Sequence, residues 1–474
     1  MDVNINLELL LPECYQAAIV VVLFIQCIVS SPRARNVTWL PVVAAVGILI
    51  AALSLGMRGE MFWQSYQIDR LSQFFKLAVA LGFAIAVLNA RNQVTLESEK
   101  QPDYFFLLAV SAWGLMFLAS SVELIIIFLA LEISSYSLYA LVPLRGNEPR
   151  AAEAGVKYIL FGAMATAIAL YGFSFILATQ HSSYLSVLAT KAWNWHMSPL
   201  AVCGLTLFLI SLFYKLALFP FHFWCPDVYA GTSNETAAYV ATLPKLGAVV
   251  VLVRLATLLK PGLEVTTILA VLGAISMTFG NLAALTQQDV KRLLGYSSVA
   301  HAGYVMLGLV AGTAEGLAAA SFYSLVYLLM NLTIFWVVCR LATDGRNIMM
   351  NDLNGLYKKA PGLAFVLAVA AFALVGLPPT AGFVGKLFLL TSAWNRGYDW
   401  LVIVAAVNTA ISIYYYLSLV RHAYTGEIEH EEAPSLASGS LLWGGVLAAM
   451  VLLLGTVPGP IFNWAYQAGL QLMP

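Results

Sequence analysis

Apolar runs long enough to cross a bilayer recur along the whole chain, and this constrains its fold more than any other feature. A membrane helix needs about 20 mostly apolar residues to span a hydrocarbon core of roughly 30 Å. Such segments lie near 7–29, 39–57, 68–90, 104–120, 122–142, 154–178 and 199–219, then near 235–259, 265–286, 292–312, 316–341, 361–394, 399–422 and 438–463. They predict an all-α polytopic membrane protein of about 14 transmembrane helices, since in lipid the backbone must satisfy its own hydrogen bonds. The tightest junction is at Ser120–Glu123, where two spans meet almost without a loop. Only 10% of the 474 residues are charged, against about a quarter in soluble domains, which excludes a water-soluble globule.

The 24 basic and 24 acidic side chains balance, and no basic stripe offers a nucleic-acid footprint. The five cysteines, Cys14, Cys27, Cys203, Cys225 and Cys339, form no C-x-x-C pair for an iron–sulfur cluster, zinc or haem. They read as small apolar packers, so redox chemistry belongs to other chains. The N-terminal run lacks a basic n-region, and Arg33 and Arg35 follow it rather than precede it. That polarity is opposite to a secretory signal, so the first segment is expected to stay as a helix.

Basic residues in the loops set the expected orientation. Thirteen follow odd-numbered spans: Arg33, Arg35, Arg91, Lys100, Arg145, Arg150, Lys291, Arg292, Arg340, Arg346, Lys358, Lys359 and Arg421. Five lie on the other face: Arg58, Arg70, Lys191, Lys260 and Arg396. The asymmetry places both termini on the non-cytoplasmic side.

The remaining basic residues, Lys76, Lys157, Lys215, Lys245, Arg254 and Lys386, fall inside spans. Each charge at mid-bilayer costs about 2.5–3.5 kcal/mol, so such residues pair with something or line water. Snorkelling to a span end suits Lys76, Lys157 and Arg254. Lys215 and Lys386 differ, because Pro220 and Pro226 follow the first while Pro378, Pro379, Gly382 and Gly385 surround the second. An ionisable group beside an interrupted helix, found in two corresponding places, points to ion sites built from half-helix ends. Glu132 lies deep in the fifth span, with Lys215 as its expected partner, since an isolated carboxylate there would be neutralised by desolvation. Lys245 follows Pro244. His301 lies four residues after Ser297, on one helix face, suggesting a wetted interior. His222, in HFW, lacks a second metal ligand and reads as part of a proton path or as packing.

The residue types name the chemistry. Desolvation disfavours the charged form of an amine, so its charge can be switched by a neighbour. A row of amines, a carboxyl, an imidazole and hydroxyls can take a proton from one side and release it on the other.

The segments KLALFPFHFWCPDVY, DVKRLLGYSSVAHAGY and GLPPTAGFVGKLFLL, with LALEIS and ISIYYYL, resemble the antiporter-like subunits of respiratory complex I, most closely the subunit N family. The resemblance spans essentially the whole chain. It implies three N-terminal helices (1–103), two inverted five-helix repeats (104–262 and 263–423), each with one broken helix, and a C-terminal helix (424–474). It also implies a proton-translocating membrane-arm subunit of NADH:quinone oxidoreductase in a bacterial inner membrane, packed against other antiporter-like and small membrane subunits. NADH, FMN, iron–sulfur clusters and quinone would be handled by other chains, with no cofactor bound here. Carried over by position, the proton-channel residues fall on Glu132, Lys215, Lys245, His301 and Lys386, with Lys157, His222 and Glu153 as auxiliaries. Subunit L resembles the chain but adds a long lateral helix, and subunit M usually has glutamate at the position of Lys386. The chain departs from the subunit N pattern at Cys225, in the stretch AGTSNETAAY with Glu235, and at Lys76, which has no counterpart. The alternatives are a multisubunit sodium/proton antiporter, which shares the fold, and a spacer that has lost transport.

Overall fold

Backbone groups in hydrocarbon must pair within their own segment, and nearly every apolar run forms a helix. The structure is a computed structural model describing residues 7–29, 36–91, 93–146, 148–191, 193–258, 264–425 and 438–473. Arg33, Arg35 and Lys260, used above for orientation, lie outside these residues. The helices in chain order are α1 (Leu11–Ile28), α2 (Leu40–Leu53), α3 (Arg70–Ala90), α4 (Gln101–Ser120), α5 (Leu124–Leu141), α6 (Pro149–Gln180), α7 (Leu185–Leu188), α8 (Pro199–Leu216), α9 (Trp224–Gly231) and α10 (Asn234–Leu255). Then come α11 (Glu264–Ala284), α12 (Val290–Ala311), α13 (Ala314–Leu341), α14 (Leu356–Lys359), α15 (Pro361–Val375), α16 (Ala381–Trp394), α17 (Asp399–Thr425), α18 (Ser438–Thr456) and α19 (Gly459–Leu472).

Among the described residues, 11 helices are long and apolar enough to cross a membrane alone. The last expected span is a pair, α18 and α19, bent by 68°. The second expected span is short, Leu40–Gly56, and the twelfth is split between α15 and α16. Every expected segment is therefore helical, and the number of spans is about 14 when each broken pair counts once.

The expected junction at Ser120–Glu123 is equally tight: α4 ends at Ser120, and the Glu123 carboxylate caps α5 by accepting from the Ile126 N–H at 3.0 Å. One feature departs from an all-helical reading. Gly59–Met61 and Tyr66–Ile68 form a short antiparallel hairpin (β1 and β2) whose turn places Phe62, Trp63 and Gln64 at positive φ. The turn carries no glycine or asparagine, so sequence gave no hairpin signal there.

Burial separates an inner layer from a rim. The membrane windows of α10, α12 and α13 are 94% buried or more, whereas α6 is 28% buried and presents an apolar outer face. The central helices are thus wrapped by others, and polar side chains on them face protein rather than lipid. Close approach is secured by glycine. A Cβ on Gly172 would sit 2.5 Å from the Gly204 carbonyl oxygen, and one on Gly204 2.7 Å from that of Gly172, so α6 and α8 touch backbone to backbone. Gly172→Leu is expected to wedge the two helices apart, costing about 1–3 kcal/mol or more, and to lower the melting temperature of the purified protein. An unchanged melting temperature would contradict this packing.

The two ends of the bundle carry different charge networks. At one end Arg145 donates to the carbonyls of Gly231, Thr232 and Gly345, and Lys291 Nζ donates to Thr232 O at 2.7 Å. Asn347 bridges Ala230 O and Asp289, so loops assigned to the same face by the basic-residue count do meet. At the other end Arg254 does not snorkel. It is buried and binds both carboxylate oxygens of Asp69 at 2.9 and 3.1 Å, and also the Ala119 carbonyl. Lys76 does not snorkel either: it is fully buried and ion-paired with Glu13 at 2.5 Å.

Candidate functional site

The centre of the site is built on the buried helices α10, α12 and α13. Lys245, one residue after the in-helix Pro244, points its amine at Ser298 on α12, donating at 2.7 Å. Ser298 shares further hydrogen bonds with the hydroxyls of Tyr327 on α13 and Tyr229 on α9. The Lys245 amine also lies 5.6 Å from the centroid of the Tyr327 ring, a cation–π contact. One turn along α12, His301 Nδ1 is 2.6 Å from the Tyr323 hydroxyl and Nε2 is 3.2 Å from that of Tyr416. Both ring nitrogens are thus in contact with groups able to donate or accept, so either tautomer or the imidazolium can be held. Between the two stations lies a cavity of about 20 Å³ lined by Leu216, Lys245, Leu246, His301, Ser324 and Tyr327, among others. That is room for about one water, with polar partners on both sides.

On one flank, α8 ends at Leu216, one residue past Lys215, and the chain resumes as α9 after a short break. The Lys215 amine, at the C-terminal end of this half-helix, donates to Ser135 on α5 and lies 5.8 and 5.9 Å from the Tyr139 and Tyr214 ring centroids. Among the described residues no direct ion pair joins Lys215 to Glu132, but the carboxylate is near enough to act on the amine electrostatically, as its expected partner would. Glu132 instead accepts from Thr166 at 2.9 Å, and its Oε2 is buried with no hydrogen-bond partner among the described residues. Ser135 lies three residues after Glu132, on the same helical face, so the hydroxyl takes the amine that charge alone assigned to the carboxylate.

On the other flank, the break at Gly376–Thr380 separates α15 from α16. Lys386 lies beyond the break but reaches back across it, donating to Val375 O at 2.8 Å and Leu374 O at 3.3 Å. Its amine therefore sits at the C-terminal end of the first half-helix, the counterpart of Lys215, where unpaired carbonyls favour a cation. It also lies 4.5 Å from the Tyr304 ring centroid. A Cβ on Gly385 would meet Tyr323 at 2.8 Å, which places the histidine's tyrosine partner against the turn carrying Lys386.

The family described as NADH:quinone oxidoreductase/Mrp antiporter, transmembrane, matches residues 121–412, more than half of the chain. This chain is a member of that family. A relative from Solidesulfovibrio magneticus, NADH-quinone oxidoreductase subunit N 2, is 63% identical over 98% of this chain and 99% of its own length. Within the family the chain therefore belongs with subunit N. A chain of respiratory complex I from Thermus thermophilus matches with a TM-score of 0.83 at 33% identity, covering 95% of this chain and 98% of that one. A chain of an Mrp complex from Dietzia sp. has the same fold, with a TM-score of 0.86 at 19% identity.

In this subunit N chain the auxiliary residues behave differently from the row. Lys157 is not deep in a span. It lies in the first turns of the 32-residue α6, partly exposed, and bridges Glu153 and Asp227 at 2.7 Å each. Asp227, on α9, also takes Arg292 at 2.7 Å, at the edge of a cleft of about 320 Å³. His222 is buried among Phe219, Phe223 and Phe279, and its Nδ1 has no hydrogen-bond partner among the described residues. Sequence reasoning missed the hydroxyls grouped around the separate stations: Ser135 at Lys215, Ser298 with Tyr229 and Tyr327 at Lys245, and Tyr323 and Tyr416 at His301. Ser297, singled out for sharing a face with His301, turns its hydroxyl to the Leu294 carbonyl; its neighbour Ser298 meets the lysine. The YSSVAHAGY and IYYYL segments held that signal, since tyrosines in an apolar core usually need a partner for the O–H.

Proposed function

We infer that this chain is the proton-translocating subunit N of the membrane arm of an NADH:quinone oxidoreductase, moving protons through Glu132, Lys215, Lys245, His301 and Lys386. The observation that carries this is the matched pair of broken helices. Each places one buried amine at a half-helix C-terminal end, and between the two lies a centre where Lys245 and His301 share a water-sized cavity. Serine hydroxyls partner the Lys215 and Lys245 amines and tyrosine hydroxyls partner the imidazole, groups able to pass a proton, while the Lys386 amine is held by the Leu374 and Val375 carbonyls. The Asp227, Lys157 and Arg292 cluster, with Glu153, marks where the aqueous face approaches α9, whose Tyr229 reaches Ser298.

The driving reaction lies elsewhere. Moving one charge against 100 mV costs about 2.3 kcal/mol, which quinone reduction on another subunit would supply through neighbouring membrane-arm chains. NADH, FMN, iron–sulfur clusters and quinone are assigned to those other chains. The repeats are drawn at 104–262 and 263–423, preceded by three helices (1–103) and followed by the C-terminal region (424–474). The membrane is a bacterial inner membrane, with both termini on the non-cytoplasmic side. A sodium/proton antiporter subunit would use the same fold, but the extent of identity to the subunit N relative favours the respiratory reading.

Lys215→Ala and Lys245→Ala are expected to lower the protons moved per electron pair in inverted vesicles while the complex still assembles. Unchanged pumping in both variants would defeat the assignment.

A further inference from the structure

A second buried acid–base pair lies outside the row and before the family-matched residues 121–412. Glu13 on α1 is 1% exposed and Lys76 on α3 is fully buried, with Lys76 Nζ 2.5 Å from Glu13 Oε1. The Tyr66 hydroxyl, on β2, donates to the same carboxylate oxygen, and the Lys76 amine lies 5.4 Å from the Tyr66 ring centroid. We propose that Glu13, Lys76 and Tyr66 form an additional proton-exchanging site in this subunit, one that passes protons between the bundle interior and the aqueous end at the hairpin.

Incomplete pairing separates this cluster from a static clamp. The Asp69–Arg254 pair, at the same end of the molecule, is saturated: both carboxylate oxygens meet guanidinium nitrogens, and Arg254 also binds the Ala119 carbonyl. In the Glu13–Lys76 pair, neither Glu13 Oε2 nor the Lys76 amine, ion pair aside, has a hydrogen-bond partner among the described residues. A buried ion pair left so poorly satisfied recovers little of the cost of taking both groups out of water. Intramembrane ionisable groups in that position are functional by default.

The first transfer balances within the pair. A proton moves from the Lys76 ammonium to Glu13, giving an amine and a carboxylic acid with no change in net charge. The Tyr66 hydroxyl then takes the acid proton and gives its own to water at the hairpin end, leaving a carboxylate and an amine with one positive charge fewer, and a proton arriving from the bundle interior restores the ammonium. Tyr66 is 1% exposed and sits on the hairpin that links α2 to α3, in the loop between two spans. The other charged groups nearby are Arg254, which acts on Tyr66 electrostatically, and its partner Asp69.

This inference rests on the proton-translocation reading, and the test separates the two. Protons moved per electron pair would be measured in vesicles holding the assembled complex, for the Glu13→Gln/Lys76→Met double variant, Tyr66→Phe and Lys245→Ala. The double variant replaces both charges, so no unpaired ion is left to disrupt folding, and Tyr66→Phe leaves the ion pair in place. The expected result is that both lose protons per electron pair to the same extent as Lys245→Ala. A wild-type ratio in both, with a loss in Lys245→Ala, makes the pair a clamp and overturns the inference alone. A wild-type ratio in all three overturns the translocation reading with it.

Discussion

Lys386→Arg is expected to assemble normally and to translocate no protons through this subunit, whereas Lys386→Ala should lose both translocation and part of its stability. The Lys386 amine does two things at once. It caps the C-terminal end of α15 by donating to the Leu374 and Val375 carbonyls, and in the proposed function it is the exchangeable group at the end of the row. A guanidinium can do the first. It carries donors in a fixed fork and stays charged in proteins, so it cannot release its proton. Alanine does neither, and hydrogen bonds from a charged donor are worth about 1.5–3 kcal/mol, lost here at a break where no backbone N–H from the next turn replaces them. Melting temperature and protons per electron pair, measured on the same preparations, decide the matter. If Lys386→Arg pumps like the parent, the amine is a cap and not a relay, and the row ends at His301.

Helices and their breaks were legible because hydropathy and proline act locally. Apolar length predicted almost every span, and Pro220 with Pro378 and Pro379 marked the two interruptions. What the sequence did not disclose depends on which helix faces which. Glu132 and Lys215 have opposite charge and were matched on that ground, yet Ser135 takes the amine because it is closer on the same face. Lys157, expected to reach toward a span end, does so: α6 extends to Pro149 and leaves its amine partly exposed between Glu153 and Asp227. Lys76 and Arg254 read as snorkelling cations because their acids, Glu13 and Asp69, sit 63 and 185 residues away along the chain. Long-range pairing of this kind leaves no periodic trace. The buried lysines themselves were visible, since an amine in an apolar run stands out whatever it touches.

Asp69→Ala is expected to be the most destabilising single change in the chain's charged residues, ahead of Arg254→Ala. Asp69 holds two jobs. Its carboxylate caps α3 by accepting from the Ser72 N–H at 2.7 Å, and it neutralises a guanidinium that is only 2% exposed. Removing a cap costs about 1 kcal/mol. Stranding a buried charge costs about 3–5 kcal/mol, because the ion has already left water and has lost its counter-charge. Arg254→Ala strands the carboxylate instead, but that side chain is 12% exposed and keeps its cap hydrogen bonds, so water and the α3 N-terminus still compensate it. The double change Asp69→Asn/Arg254→Met keeps a capping side chain and removes both charges, so it should recover most of the stability lost in Asp69→Ala. The measurement is the melting temperature of the purified complex together with the amount assembled in the membrane. Protons per electron pair, counted per assembled complex, should stay near the parental value in the double variant. A saturated pair that fastens α3 to α10 has no proton to exchange, and a fall in that ratio would mean the Asp69–Arg254 pair belongs to the conducting route after all.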